Sequence, residues 1–209
     1  MAFQSIWYDT GLPNNMIDDV IKEFEHCIDI HNSKITNGLD TELKEKTRKS
    51  KNGWITTNHW ISGYIWYFVN KANNENFRYD LRNIDNENIQ YTVYDPGEYY
   101  KWHSDTSVVL NYYPQSIGSS VLNGDFVRDQ SVCDKELSRK LSFSLQLSDE
   151  DDYEGGELQF MDDDDQLYTA PKKKGTIIIF DSRVKHRVRK IKNGTRKSLV
   201  GWVVGPRWK

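Results

Sequence analysis

The chain has 209 residues, a formal net charge of −3 and 13% aromatic residues, among them seven Trp and twelve Tyr. That length supports one domain with a full core, the aromatic content excludes a disordered chain, and the slightly acidic balance excludes a surface built throughout for polyanions, so no nucleic-acid partner is expected. Cys27 and Cys133 match no metal or redox spacing, no apolar run reaches membrane length, and no basic-then-apolar leader opens the chain, so the expectation is a reducing, cytoplasmic setting without a membrane.

No Pro-, Ser- or Gly-rich spacer divides the sequence, and a single domain over 1–209 is expected, helical over 1–88 and β-rich over 89–209. Pro13 and Asn14-Asn15 precede Met16, Ile17, Val20, Ile21, Phe24, Cys27 and Ile28, a helical spacing behind a start signal. Residues 33–53 are polar and read as a loop with frayed helix. A second helix is predicted over 61–71, with Ile65, Trp66, Phe68 and Val69 as its apolar residues. Strands follow. Residues 89–94 end at Asp95-Pro96-Gly97, a turn tripeptide. Residues 106–140 form a long connection, and connections that long usually carry function. Leu141, Phe143, Leu145 and Leu147 alternate with Ser142, Ser144 and Gln146, the period of a strand. Gly155-Gly156 opens a strand over 157–161, and strands over 176–180 and 199–204 complete the set. Many short strands with regular turns predict a sandwich or barrel.

The strongest chemical pattern is His103-Ser104-Asp105. Residues two apart on an extended chain share a face, so both side chains can reach one ion. His186, just past the apolar strand at 176–180, is the best placed third ligand. Two imidazoles and a carboxylate leave open positions on an octahedral ion, the arrangement of non-haem Fe(II). Taken singly, His103 and Asp105 also fit a bonded surface pair, and His186 a strand-end histidine. Arg196 lies ten residues beyond His186, after the turn Asn193-Gly194, and could pair with the carboxylate of a dicarboxylic acid. His26, His31 and His59 read as structural or surface residues, with His59 the reserve ligand.

Residues 89–205 resemble the Fe(II)/2-oxoglutarate-dependent dioxygenases, in their prolyl 4-hydroxylase-like branch. The resemblance rests on His103, Asp105, His186 and Arg196, and on Tyr94-Asp95-Pro96-Gly97 with Tyr100. Further support comes from the strand pair at 141–148 and 153–158 and from Phe180-Asp181-Ser182. It implies a mainly β, α+β fold: a double-stranded β-helix, or jelly roll, with N-terminal helices packed on one sheet. It also implies Fe(II) held by His103, Asp105 and His186, and 2-oxoglutarate bound by Arg196 and touched by Tyr94. Dioxygen would be consumed, ascorbate would serve as an accessory reductant, and succinate and carbon dioxide would leave. The implied substrate is a prolyl residue in a peptide or protein.

The alternatives are the same chemistry on a free amino acid, a lysyl side chain or a small metabolite, and a non-enzymatic cupin-like metal-binding module. Oligomeric state stays open, and the segment between Asp105 and Leu141 is longer than the branch leads one to expect. The acidic runs 149–152 and 162–165 read as solvated turns. The basic stretches 172–174 and 183–197 read as a solvated face or as a steering surface for an anionic co-substrate or an acidic peptide. Trp202 reads as core packing, with a place in the pocket wall as the second reading.

Overall fold

The structure is a computed structural model that describes residues 5–32, 47–85, 88–106, 110–111 and 136–208. β1 (Ser5–Asp9), α1 (Asn14–Cys27) and β2 (His31–Asn32) open the described chain. β3 (Arg48–Lys49) and β4 (Lys51–Thr56) lead to α2 (Trp60–Ala72), which runs on into a π-helical turn (Asn73–Phe77). β5 (Asn83–Ile84), β6 (Asn88–Tyr94), β7 (Tyr99–His103), β8 (Leu110–Asn111) and β9 (Glu136–Gln146) follow. β10 (Tyr153–Gly155), β11 (Leu158–Met161), β12 (Leu167–Thr169) and β13 (Thr176–Asp181) come next. β14 (Lys185–Val188), β15 (Ile191–Gly194) and β16 (Arg196–Pro206) close the chain.

The strands form a major sheet in the order β1-β13-β9-β16-β6-β4-β2 and a minor sheet in the order β12-β11-β14-β7-β3, with β10 and β15 paired beside them. Successive strands change sheet: β6 lies in the major sheet and β7 in the minor, and β13 and β14 repeat the step. This is the expected jelly roll. The crossing from β6 to β7 is the Asp95-Pro96-Gly97-Glu98 turn, where Gly97 has φ 88° and the Glu98 amide donates to the Asp95 carbonyl at 2.9 Å. Proline at the second turn position and a left-handed glycine at the third are what a type II turn requires.

Two apolar layers hold the assembly. The outer layer joins Ile17, Val20 and Phe24 of α1 and Ile61, Ile65 and Val69 of α2 to Tyr91, Phe143, Leu145, Ile177 and Leu199 of the major sheet. The inner layer lies between the sheets and contains Tyr94, Leu158, Phe160, Ile178, Phe180 and Val188. β13 serves both layers, which explains its unbroken apolar run. β9 serves the outer layer with Leu141, Phe143 and Leu145, so Ser142, Ser144 and Gln146 point inward, where they are buried. In most antiparallel sheets the polar side of such an alternation faces water. Here helices cover the apolar side, and the polar side faces the interior of the roll.

The N-terminal part is less helical than expected. β1 extends the major sheet through its pairing with β13, with Ile6 opposite Ile179 and Tyr8 opposite Ile177. β4 pairs with β6 along its whole length, and its first three residues fall in the stretch 33–53 read from sequence as loop and frayed helix. Residues 33–46 of that stretch lie outside the described residues, as does most of the predicted connection at 106–140. β9 begins at Glu136, earlier than the alternating run suggested. Short segments that gain their hydrogen bonds from distant strands carry little local signal. The acidic run at 162–165 forms the turn between β11 and β12, where the Asp162 carboxylate accepts from the amides of Asp164 and Gln166.

Candidate metal centre

His103 ends β7 and His186 lies on β14, directly opposite each other across the strand pair. Two residues on β14 span three on β7, since Val188 faces Tyr100 while His186 faces His103. This β-bulge turns Tyr100 and His103 to the same side, which an odd spacing on a regular strand would not allow. Their rings stack at 3.5 Å between centroids and 17° between planes. Burial pushes the Tyr100 hydroxyl up to about 12, so the ring next to His103 stays neutral.

Both imidazoles are oriented by main-chain carbonyls. His103 Nδ1 lies 2.8 Å from the Lys101 oxygen and His186 Nδ1 lies 3.0 Å from the Val184 oxygen. Nδ1 of each ring therefore carries the proton, and the Nε2 lone pairs are free to coordinate. Asp105 lies between them, with its carboxylate oxygens 3.7 Å from His103 Nε2 and 3.5 Å from His186 Nε2. Donor atoms about 2.1 Å from one ion stand roughly 3 Å apart when adjacent on an octahedron, so a contraction of a few tenths of an ångström would close the triad on a metal. One donor atom from each of the three residues fits within 4.8 Å of the others. These residues and their spacing therefore fit a first-row divalent metal.

The electrostatics agree with that fit. Burial, followed by the charge His186 would place beside it, holds the His103 imidazole well below its ordinary range, keeping it in the neutral form that coordinates metal. Burial opposes ionisation of Asp105, but the two imidazoles and the Ser142 hydroxyl outweigh it and lower its carboxyl. Ser142 donates to Asp105 Oδ2 at 2.7 Å and lies 3.0 Å from the Ser182 hydroxyl. The Asp105 amide donates to the Ser182 carbonyl at 2.8 Å. The polar side of β9 thus orients the carboxylate. Ser142→Ala should weaken Fe(II) affinity about 10–100-fold, the usual effect of removing a group that orients a metal ligand. Anaerobic calorimetric titration measures this, and an unchanged affinity would show that Ser142 has no part in holding Asp105.

His103, Asp105, His186, Arg196 and Tyr94 line one cavity. Arg196 is 2% exposed. Its guanidinium donates to Gln146 Oε1 at 2.9 Å and Ser198 Oγ at 3.2 Å, and it lies 5.8 Å from the centre of the Tyr94 ring. Among the described residues no carboxylate pairs with it. An unpaired buried cation is costly, and here it faces the same cavity as the triad. An incoming carboxylate would relieve that cost, so the donors present fit a dicarboxylic acid whose other end reaches the metal.

Trp202 also lines this cavity, in its wall rather than in the core as expected. Its indole Nε1 is buried without a hydrogen-bond partner among the described residues. The Arg139 guanidinium lies 4.0 Å from its ring centre, and the buried Asp85 carboxylate accepts from Arg139 Nε at 2.8 Å. Exposed Trp54 stands 6.4 Å from Trp202. The sequence reading did not single out Arg139, Asp85, Ser142 or Gln146, because no local signal sets them apart from ordinary strand residues. His59 is not a ligand: it caps α2, with Nδ1 accepting from the Ile61 amide at 3.3 Å. Cys27 is an exposed free thiol, and Cys133 lies outside the described residues.

Residues 89–204 match the family model described as the 2OG-Fe(II) oxygenase superfamily. A PKHD-type hydroxylase of Picosynechococcus sp. (strain ATCC 27264 / PCC 7002 / PR-6) is 32% identical over 116 residues, covering 55% of this chain and 41% of that protein. The matched region spans less than half the length of the first curated relatives. Among solved structures, a Pseudomonas putida prolyl-4-hydroxylase superposes with a TM-score of 0.63 at 18% identity, covering 100% of this chain and 95% of its own. A Trichoplax adhaerens prolyl hydroxylase, solved with a hypoxia inducible factor peptide fragment, gives a TM-score of 0.67 at 13% identity, covering 95% and 82%. At these identities the two structures bear on the fold alone.

Proposed function

Because the chain belongs to the 2OG-Fe(II) oxygenase superfamily, we propose that it hydroxylates a C–H bond of a polypeptide, most directly a prolyl residue, in the cavity shared by His103, Asp105, His186 and Arg196. The observation that carries this reading is the buried Arg196, unpaired with any carboxylate among the described residues, in the same cavity as three residues whose donor atoms could hold a metal ion. A cupin-like module that only binds metal has no use for such a cation.

His103 and His186 would hold Fe(II) through Nε2, and Asp105 through its carboxylate. The iron and 2-oxoglutarate, when bound, supply dioxygen activation: one oxygen atom goes to the substrate and the other to succinate, with carbon dioxide released. The protein's own contribution is binding and orientation. Arg196 takes the distal carboxylate of 2-oxoglutarate by a charge-assisted pair. Gln146 and Ser198 hold the guanidinium in place, and Tyr94 closes the pocket beside it. Leu158, Phe180 and Val188 line the remaining wall and keep water from the reacting centre.

Trp202 and Arg139 support a polypeptide over a small metabolite. The aromatic wall continues toward Trp54, which is 51% exposed, as an extended substrate requires. The curated relatives' name, PKHD-type hydroxylase, agrees with hydroxylation as the reaction.

The test is succinate release from 2-oxoglutarate with Fe(II) and oxygen, using a library of proline-containing peptides analysed by mass spectrometry. The expected result is succinate formation matched by the gain of one oxygen atom on proline. Absence of succinate with every peptide, without uncoupled turnover, would overturn the reading. Oxygen gained by a free amino acid, and not by any peptide, would move the substrate to the small-molecule alternative.

A further inference from the structure

Beyond the metal cavity, the outer face of the minor sheet carries a second organised surface. On β14 the side chains alternate: His186 and Val188 turn to the cavity, and the cations Lys185 and Arg187 therefore point outward. Arg187, Arg189, Lys190 and Lys192 join Lys101 and Trp102 of β7 around an open groove. No acidic residue lines that groove among the described residues. The whole chain has 28 Lys and Arg against 31 Asp and Glu, so five cations around one groove run against its overall charge.

Part of this charge is already answered. Lys192 pairs with Glu154 at 2.6 Å, and Arg189 lies 3.7 Å from Glu157. Arg187 bonds the Gln159 side chain at 2.8 Å and lies over the Trp102 ring at 4.5 Å. Lys101 and Lys190 form no ion pair among the described residues. The groove therefore has a net positive charge, a fixed aromatic floor and carboxylates standing at its rim.

We infer that this groove docks an acidic segment of the polypeptide substrate, outside the segment that enters the metal cavity. Charge complementarity identifies the occupant. Glu154 and Glu157 would repel the regularly spaced phosphates of a nucleic acid, whereas a peptide can place single carboxylates at Lys101 and Lys190 and an apolar side chain on Trp102. A second contact of this kind raises the local concentration of the target residue at the metal site. The inference rests on the polypeptide-hydroxylase reading, but its test needs no turnover.

Fluorescence anisotropy with a labelled oligo-glutamate peptide, at low and high salt, measures the docking directly. The probe is expected to bind at low salt and to release as salt rises. The double variant Arg189→Glu/Lys190→Glu, at two exposed positions, should weaken binding about tenfold or more. Its Fe(II) affinity and its melting temperature should stay at wild-type values, showing that the fold and the metal site persist. Absence of low-salt binding, or equal binding by the variant, would overturn the inference. Tighter binding of a single-stranded oligonucleotide of equal charge would overturn the peptide assignment. A chain that binds oligo-glutamate yet never forms succinate would sink the hydroxylase reading and leave the groove standing.

Discussion

Asp105→Asn is expected to weaken Fe(II) binding by orders of magnitude and, with it, turnover. The amide matches the carboxylate in shape and can keep the bond from Ser142, which reaches Asp105 Oδ2 at 2.7 Å. It cannot supply the negative charge that faces the two Nε2 atoms. Leaving a buried charge without its partner costs about 3–5 kcal/mol, so metal affinity should fall by roughly two to three and a half orders of magnitude. Anaerobic calorimetric titration with Fe(II) measures this, and thermal melting of the metal-free protein checks the fold. Wild-type affinity in this variant would exclude Asp105 as a ligand.

Arg196→Met is the second large effect, and it separates co-substrate binding from metal binding. The guanidinium is buried, and Gln146 and Ser198 are neutral partners that hold it. Loss of its charge-assisted pair should weaken 2-oxoglutarate by about 1.5–3 kcal/mol, roughly 10- to 150-fold in Kd. Fe(II) affinity should not change. Stability should change little, because two effects oppose each other. Removing an unpaired buried cation favours the fold, while orphaning Gln146 Oε1 and Ser198 Oγ costs about 1–3 kcal/mol. Titration of 2-oxoglutarate into the metal-loaded variant decides the matter: unchanged affinity would exclude Arg196 from the co-substrate site, and equal loss of both ligands would mean that the variant had disturbed the cavity as a whole.

How much of this was legible in the sequence differs from residue to residue. His103 and Asp105 were readable because two candidate ligands two residues apart need only a short extended segment, and the structure supplies that at the end of β7. His186 and Arg196 were readable from their place around predicted strands and from the family pattern. Tyr100 was quoted only as part of that pattern, and its stacking on His103 depends on a bulge that no local signal announces. The N-terminal strands were missed for a related reason: β1 and β4 gain their hydrogen bonds from β13 and β6, and nothing within five or six residues encodes a distant partner.

The alternation of Leu141, Phe143, Leu145 and Leu147 with Ser142, Ser144 and Gln146 shows where the boundary lies. The sequence by itself determined that this segment is a strand with one apolar and one polar side, because a period of two permits little else. It also carried the candidate ligands and, through the family pattern, the jelly-roll class. Only the tertiary structure decided that the apolar side belongs to the helices and the polar side to the metal cavity. The physical reason is that a strand's period says which residues share a face, while the layers packed against it decide what each face meets. With α1 and α2 covering the leucines, Ser142 is left facing Asp105 and Gln146 facing Arg196. The same packing turns Trp202 from a core residue into a wall of the cavity.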